Sequence, residues 1–331
     1  MHNPFLTIGI ASYNYSPYLD KALDQIKKQS FKDIEILYCD DGSTDDSVEK
    51  IQKFIAQENE ISIRLVEGEH GGVLVNKNRI IDNARGRYIM ICDADDYMLP
   101  DCLERMCQAA RENNADCVIG GFCEVTDEGK ILKKHIPDNS SSKWLYTWHH
   151  GQMYQLDIIR KYHIRFEQIP DDVFYLQNVH KHSQQVVFVQ ECVYAWCRHG
   201  KSTSNNFLQN QEWHPVCLWD KIAGFVSRLR DESDGVDAIN LDYYLYKWYY
   251  FNVTDLWKEE PKQIRKCIRV MQDRMLAVNP EYLSCQTVPV IMKSADTAFA
   301  KCAVMICWGL EKLHLLYMIV LIRRLQQKLR E

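Results

Sequence analysis

What most constrains this chain is the regular alternation of short apolar runs and amphipathic stretches over its first 125 residues. The apolar runs are Phe5–Ala11, Ile34–Cys39, Ile61–Val66, Arg87–Cys92 and Asp116–Phe122. They are rich in Ile, Val, Leu and Tyr and short enough for buried strands. Between them, Pro17–Gln29 sets Leu19, Leu23 and Ile26 on one helical face. Thr44–Ala56 does the same with Val48, Ile51, Phe54 and Ile55, and Ser43 is the expected N-cap. Val73–Ala84 and Pro100–Asn113 complete the set, the last with proline in its first turn. Such an alternation predicts an α/β fold with a parallel, doubly wound sheet and right-handed crossovers. Ligands of these sheets sit beyond the carboxyl ends of the strands, so the residues there are the first candidates for a site.

Three strand ends carry polar residues: Ala11-Ser12-Tyr13-Asn14, Asp40-Asp41-Gly42-Ser43 and Asp93-Ala94-Asp95-Asp96. On one rim their five carboxylates would repel one another unless a cation or hydrogen-bond donors offset the charge. Asp-x-Asp supplies hard oxygen ligands suited to Mg2+ or Mn2+, as on a diphosphate. Asp, Gly and Ser also dominate turns, which is the competing reading of Asp40–Ser43. Asp93 and Asp95 follow a buried apolar run and need a partner. A haloacid-dehalogenase-type phosphatase would place Thr or Val two residues after the second Asp, where Tyr97 stands. A dinucleotide-binding Rossmann domain would place G-x-G-x-x-G after the first strand, and no glycine is there.

The remaining chain is less regular. A polar segment runs from Glu124 to Ser142, Lys143–Asn206 is mixed, and Phe207–Asn279 is helical and aromatic. The length suits one large α/β domain with a smaller appendage, or two modest domains. A net charge of −5 argues against a nucleic-acid partner. The 13 cysteines are scattered without any C-x-x-C, so a zinc site is not indicated and reduced thiols in a cytoplasmic protein are expected. Met1-His2-Asn3-Pro4 does not read as a signal peptide.

In these ordered motifs, and in Asn83-Ala84-Arg85-Gly86-Arg87-Tyr88 leading into a strand, the chain resembles the family 2 glycosyltransferases. That resemblance implies the GT-A fold: a Rossmann-like, mainly parallel sheet flanked by helices, here with a helical C-terminal region. It implies a catalytic domain over residues 1–206, with a nucleotide-binding half 1–125 and an acceptor half 126–206, and a helical region over 207–331. It also implies that Ala11, Ser12, Tyr13 and Asn14 line the nucleotide pocket, that Asp41 contacts the base, usually uracil, and that Asp40 supports it. Asp93, Ala94 and Asp95 would form the donor-binding Asp-x-Asp turn. Asp93 and Asp95 would reach the ribose and a Mn2+ or Mg2+ ion, and Asp96 would orient the loop or the sugar. Lys77-Asn78 falls where many members carry Arg-Asn, and no phosphate role is assigned to Lys77.

Ile169-Pro170-Asp171-Asp172-Val173-Phe174 is similar to the family's Glu-Asp segment, making Asp172 the expected general base. Asp172 also suits the N-cap of a helix Val173–Lys181, where the helix dipole favours an ionised carboxylate. Cys197–Ser204 resembles a segment that closes over the diphosphate, with Arg198, His199 or Lys201 as contacts. The implied activity is that of an inverting hexosyltransferase. It would move a sugar from a nucleotide diphosphate, such as a UDP-sugar, to a hydroxyl of a glycan or lipid-linked glycan in polysaccharide or glycolipid assembly. The alternatives are a silent nucleotide-sugar or glycan-binding module of the same fold, and a sugar-phosphate nucleotidyltransferase. The latter wants a Gly-rich, basic loop after the first strand, which is absent.

Thr297–Glu331 reads as one apolar helical region interrupted by Glu311 and Lys312, short of the ~20 residues that span a bilayer. Arg323, Arg324, Lys328 and Arg330 follow. Peripheral contact with an anionic inner leaflet, packing on the catalytic domain and a homodimer seam are the expected uses.

Overall fold

Two faces of one sheet organise the N-terminal two-thirds of the chain, in a computed structural model that describes residues 3–138, 142–167, 171–198, 214–233 and 235–328. The strands are β1 (Leu6–Ser12), β2 (Ile34–Asp40), β3 (Ser62–Glu67), β4 (Tyr88–Asp93), β5 (Tyr97–Met98), β6 (Cys117–Val125), β7 (Ile131–His135), β8 (Gln152–Gln155) and β9 (Val186–Cys197). Between them lie α1 (Ser16–Lys27), α2 (Ser47–Gln57), α3 (Val73–Asn83), α4 (Cys102–Asn113), α5 (Leu156–Lys161) and α6 (Asp171–His182). The sheet order is β3-β2-β1-β4-β8-β6-β9-β5, with β7 paired to β6.

Side chains alternate across each strand, so consecutive residues feed two cores. Ile36, Tyr38 and Met90 join Leu19, Leu23 and Ile26 of α1, Ile51 of α2 and Met106 of α4. Leu37, Cys39, Ile89 and Ile91 join Ile80 of α3, Ile159 of α5 and Leu176 of α6. This is the two-sided helix cover that the alternation predicts. Gly86 enters β4 where a Cβ would lie 2.4 Å from the Thr7 amide nitrogen and 2.6 Å from the Tyr88 carbonyl oxygen, so only glycine fits there.

Four details differ from the sequence reading. The sheet is mixed: β1, β2, β3 and β4 pair in parallel, but β8 runs antiparallel between β4 and β6. Ser43 does not cap α2, because Asp40 accepts both its N–H (2.7 Å) and its hydroxyl (2.5 Å), and the helix starts four residues later. Pro100 precedes α4, which begins after Asp101 at φ 56°. Asp172 lies inside the first turn of α6, which starts at Asp171.

The chain divides into two compact units, residues 1–139 with 146–202 and residues 140–145 with 203–331. The second unit holds α7 (Pro215–Asp231), α8 (Gly235–Asp255), α9 (Pro261–Val278), α10 (Thr287–Lys293), α11 (Ala298–Lys312) and α12 (Leu316–Lys328). The expected single terminal helix is therefore two, broken where His314 adopts φ 59°. Within this unit the carboxylate of Glu311 is buried and accepts hydrogen bonds from the hydroxyls of Tyr249 (2.6 Å), Tyr250 (2.7 Å) and Tyr282 (2.7 Å). Burial raises the Glu311 pKa, and the three phenols pull it partly back. Glu311→Leu strands three buried donors at once, each worth roughly 1–3 kcal/mol when unsatisfied. Chemical denaturation is expected to show a loss of about 3 kcal/mol or more, and Glu311→Gln a smaller one. Equal, small losses for both would show that the phenols are solvated in the folded state.

Candidate active site

Parallel pairing sets the frame of the site. Ser12 is in register with Asp40 and Ala11 with Asp93, so the ends of β2, β1 and β4 reach one edge side by side. Because β8 is antiparallel to β4, the residues that lead into it, His149 and His150, arrive at that same edge. The start of α6 brings in Asp172. A reciprocal amide pair fixes that approach: Asn78 Nδ2 donates to the Phe166 carbonyl (2.8 Å) and Phe166 N–H donates to Asn78 Oδ1 (3.0 Å).

The β1 and β2 ends are tied by local bonds. Asn14, at φ 57°, accepts the Thr44 N–H at 2.8 Å and donates its own N–H to Ser43 Oγ at 2.9 Å. Asp40 is spent on Ser43. Asp41 is buried, and its oxygens accept the N–H groups of Gly71 (3.0 Å) and Gly72 (2.8 Å), with His70 Nδ1 at 2.9 Å and Arg79 at 3.5 Å. The Tyr13 ring stacks on His70 with centroids 4.2 Å apart. The Ser12 carbonyl takes the Asp41 N–H and the Asn76 side-chain amide. Ala94 points into the apolar core.

A second cluster forms around Asp93. His149 lies with Nε2 3.3 Å from Asp93 Oδ2 and Nδ1 2.9 Å from Asp172 Oδ1. Lys77, almost fully buried, places Nζ 3.3 Å from the same Asp172 oxygen. His150 Nε2 is 3.8 Å from Asp93 and 3.6 Å from Asp96. Asp96 itself accepts the Tyr194 hydroxyl (2.9 Å) and the Cys197 N–H (2.8 Å), tying the β4 turn to β9.

Charge follows from this packing. Burial alone would raise Asp93 and Asp172, but the His149 and Lys77 charges override it and hold both carboxyls well below their usual range. Burial disfavours the His149 imidazolium, yet Asp172 and Asp93 outweigh it and push its pKa up to about 10. His150 is driven down by burial, so it is neutral at pH 7. Asp96 is pushed well up by burial and by Asp95 and Asp93.

Although the ring nitrogens of His149 stand at ion-pair distance from two carboxylates, neither they nor those of His150 make a hydrogen bond of good geometry, and all four are buried. Buried orphan nitrogens beside a carboxylate are what a divalent ion would satisfy, and on His149 that ion would have to displace the imidazolium proton. Asp93, His149 and His150 each offer a ligand atom, all within 4.8 Å of one another. They are the set among the described residues that fits a metal ion, and Asp95 lies outside it.

The structure thus gathers Asp93 and Asp172 in one cluster, and Ser12, Tyr13, Asn14, Asp40 and Asp41 along the adjoining rim. His70, His149 and His150 join them unannounced by the motifs, and Lys77 joins them from the Arg-Asn motif position, which had marked it without a role. The adjacent pair His149-His150 before Gly151 was the available signal, but the four-residue β8 that aims it has no readable periodicity. Arg198 lies over the Trp196 ring (4.4 Å) and 3.8 Å from Glu124, while His199 and Lys201 fall outside the described residues.

The chain is similar to several known proteins. Chondroitin synthase of Pasteurella multocida strain Pm70 is 28% identical over 296 residues, covering 84% of this chain and 29% of that protein. Glycosyltransferase GlyG of Streptococcus pneumoniae serotype 4 is 37% identical over 117 residues, covering 35% of this chain and 38% of that protein. The chain therefore spans about a third of these relatives. Among solved structures, S. aureus TarS 1–349 in complex with UDP-GlcNAc has the same fold, with a TM-score of 0.68 at 15% identity, covering 97% of this chain and 92% of that one. A mannosyltransferase from Pyrobaculum calidifontis in complex with GDP-Man and Mn2+ has a TM-score of 0.54 at 12% identity, over 99% of this chain and 89% of that one. The model of glycosyl transferase family 2 matches residues 7–180, more than half of the chain and every element of the site from β1 to α6, and the chain belongs to that family.

Proposed function

We propose that the first unit is an inverting glycosyltransferase that moves a sugar from a UDP-linked donor to a hydroxyl of a growing glycan or lipid-linked glycan. The observation that carries this reading is the cluster of Asp172, Lys77, His149 and Asp93, where an ionised carboxylate stands beside a cation-ready set at the rim of a family 2 fold. The uridine end would lie along Tyr13, His70 and Asp41, with Asn14 and Asp40 holding the loop, Ala11 and Ser12 as its floor, and Asp95 left for the ribose. Asp93 with His149 and His150 would hold a divalent ion, and imidazole ligands favour Mn2+ over Mg2+ there. Such an ion supplies Lewis-acid stabilisation to the departing diphosphate. Asp172 accepts the proton of the acceptor hydroxyl as that oxygen attacks the anomeric carbon, and one displacement inverts the configuration. Lys77 keeps Asp172 ionised and oriented.

Thermal-shift titration of UDP- and GDP-sugars, with Mn2+ or with chelator, tests the assignment. A Mn2+-dependent rise in melting temperature with a UDP-sugar, together with slow UDP release, is expected. No shift with either nucleotide class would remove the reading.

Beside His150 lies an aromatic wall. Trp196 stacks on His150 at 5.0 Å, and Trp148, 41% exposed, meets the Phe122 ring edge-on at 5.8 Å. Flat apolar faces with a few polar neighbours suit a sugar ring. Trp148→Ala is expected to raise the acceptor KM about tenfold, on the order of 1–1.5 kcal/mol for a lost aromatic contact, with donor hydrolysis unchanged. A matching rise in donor KM would move Trp148 to the donor side.

A further inference from the structure

The outer side of the last two helices is apolar, the reverse of a helix that faces water. α11 turns Val304, Cys307 and Glu311 inward. On its opposite side Phe299, Ile306 and Leu313 stand 86%, 61% and 67% exposed at helical spacing. Past His314, α12 buries Leu316 and Val320 and exposes Met318, Ile322 and Leu325. Single exposed apolar residues are ordinary, but a stripe continued over two successive helices marks a contact surface.

Charge decides what covers it. α9, α11 and α12 together carry ten lysines and arginines against two carboxylates, in a chain whose net charge is −5, and of the ten Arg274 and Arg323 are held in ion pairs with Asp220 and Asp255. One of those carboxylates is Glu311, buried and held by three phenols. On α9, Lys262, Arg265, Lys266 and Arg269 are exposed, and Arg265 reaches across to the Tyr317 ring of α12 at 4.7 Å. The basic surface and the apolar stripe therefore adjoin within one unit. A second copy docked through this face would set two basic surfaces against each other, which disfavours a homodimer. A nucleic acid would leave the apolar stripe uncovered.

We propose that α11 and α12 lie in the interfacial plane of an anionic lipid bilayer, with their apolar stripe among the acyl chains and the exposed α9 cations among the headgroups. No described helix is long and apolar enough to cross a membrane, so the contact is in-plane. This goes beyond the catalytic reading and does not depend on it.

Flotation of the full chain with phosphatidylcholine vesicles, and with vesicles about one-third phosphatidylglycerol, tests the proposal. Binding to the anionic vesicles is expected, with little to the neutral ones. Phe299→Ser with Ile306→Ser should weaken it at least tenfold. Arg265→Gln with Lys266→Gln should weaken it by roughly fivefold for each charge removed. All four side chains are exposed, so thermal unfolding and UDP-sugar hydrolysis should match wild type. Absence of flotation with anionic vesicles overturns the proposal, as does equal binding by the serine variant. A dimer in light scattering that the serine variant splits would assign the stripe to a second copy instead.

Discussion

Asp172→Asn is expected to slow transfer by roughly 10²–10⁴-fold, the range of a lost general base, while donor affinity stays within about twofold. Asparagine keeps the shape and one oxygen for Lys77 but cannot take a proton. The charges around Asp172 set a condition on this role. His149 and Lys77 together hold the carboxyl well below its usual range, which keeps it ionised but also makes it a weak base. When His149 becomes neutral, Asp172 loses its largest attractive partner and its basicity returns toward that of an ordinary carboxylate. Lys77, 3.3 Å away, then remains to oppose burial and keep the carboxyl ionised. Single-turnover transfer measured beside calorimetric donor binding separates the outcomes. Should donor affinity fall in step with turnover, Asp172 is a binding residue and the base lies elsewhere.

The nucleotide-binding half was legible because its signals are local. The apolar runs that become β1, β2 and β4 end within a residue of where the sequence places them, since a buried strand must stay apolar along its length. The carboxylates at their ends follow from that register. The helix starts were less legible. Ser43 has the composition of a cap, but its hydroxyl and N–H are claimed by Asp40, and no local rule ranks a turn bond above a cap. His149 and His150 could not be placed because their position depends on β8. That strand is antiparallel, four residues long, and held by pairing with β4 and β6, which are distant in sequence. Lys77 carried the opposite problem. As a lysine in an arginine position it looked expendable for phosphate, and the structure instead buries it against Asp172, a contact 95 residues away in sequence. The helical unit was readable as helix, but Glu311, an interruption of an apolar run in the sequence, ties α11 to α8.

Asp93→Ala should cost about 10²–10³-fold in turnover, the scale of removing one preorganised stabiliser of developing charge, and should abolish stoichiometric Mn2+ binding. Among the described residues Asp93 is the carboxylate at ion-pair distance from both histidines, so without it the two imidazoles lose the oxygen ligand they share. The distinction from a plain Asp-x-Asp site lies in the neighbours. His150→Ala removes the proposed ligand that burial keeps neutral, and the Mn2+ midpoint should rise roughly 10–100-fold, on the scale seen when residues around a metal are altered. Asp95→Ala, outside the gathered set, should move that midpoint far less while weakening nucleotide binding. Titration of free Mn2+ followed by electron paramagnetic resonance reads all three without relying on activity. If Asp95→Ala shifts the midpoint more than His150→Ala, the ion sits on the paired aspartates and the histidines serve to orient Asp172 alone.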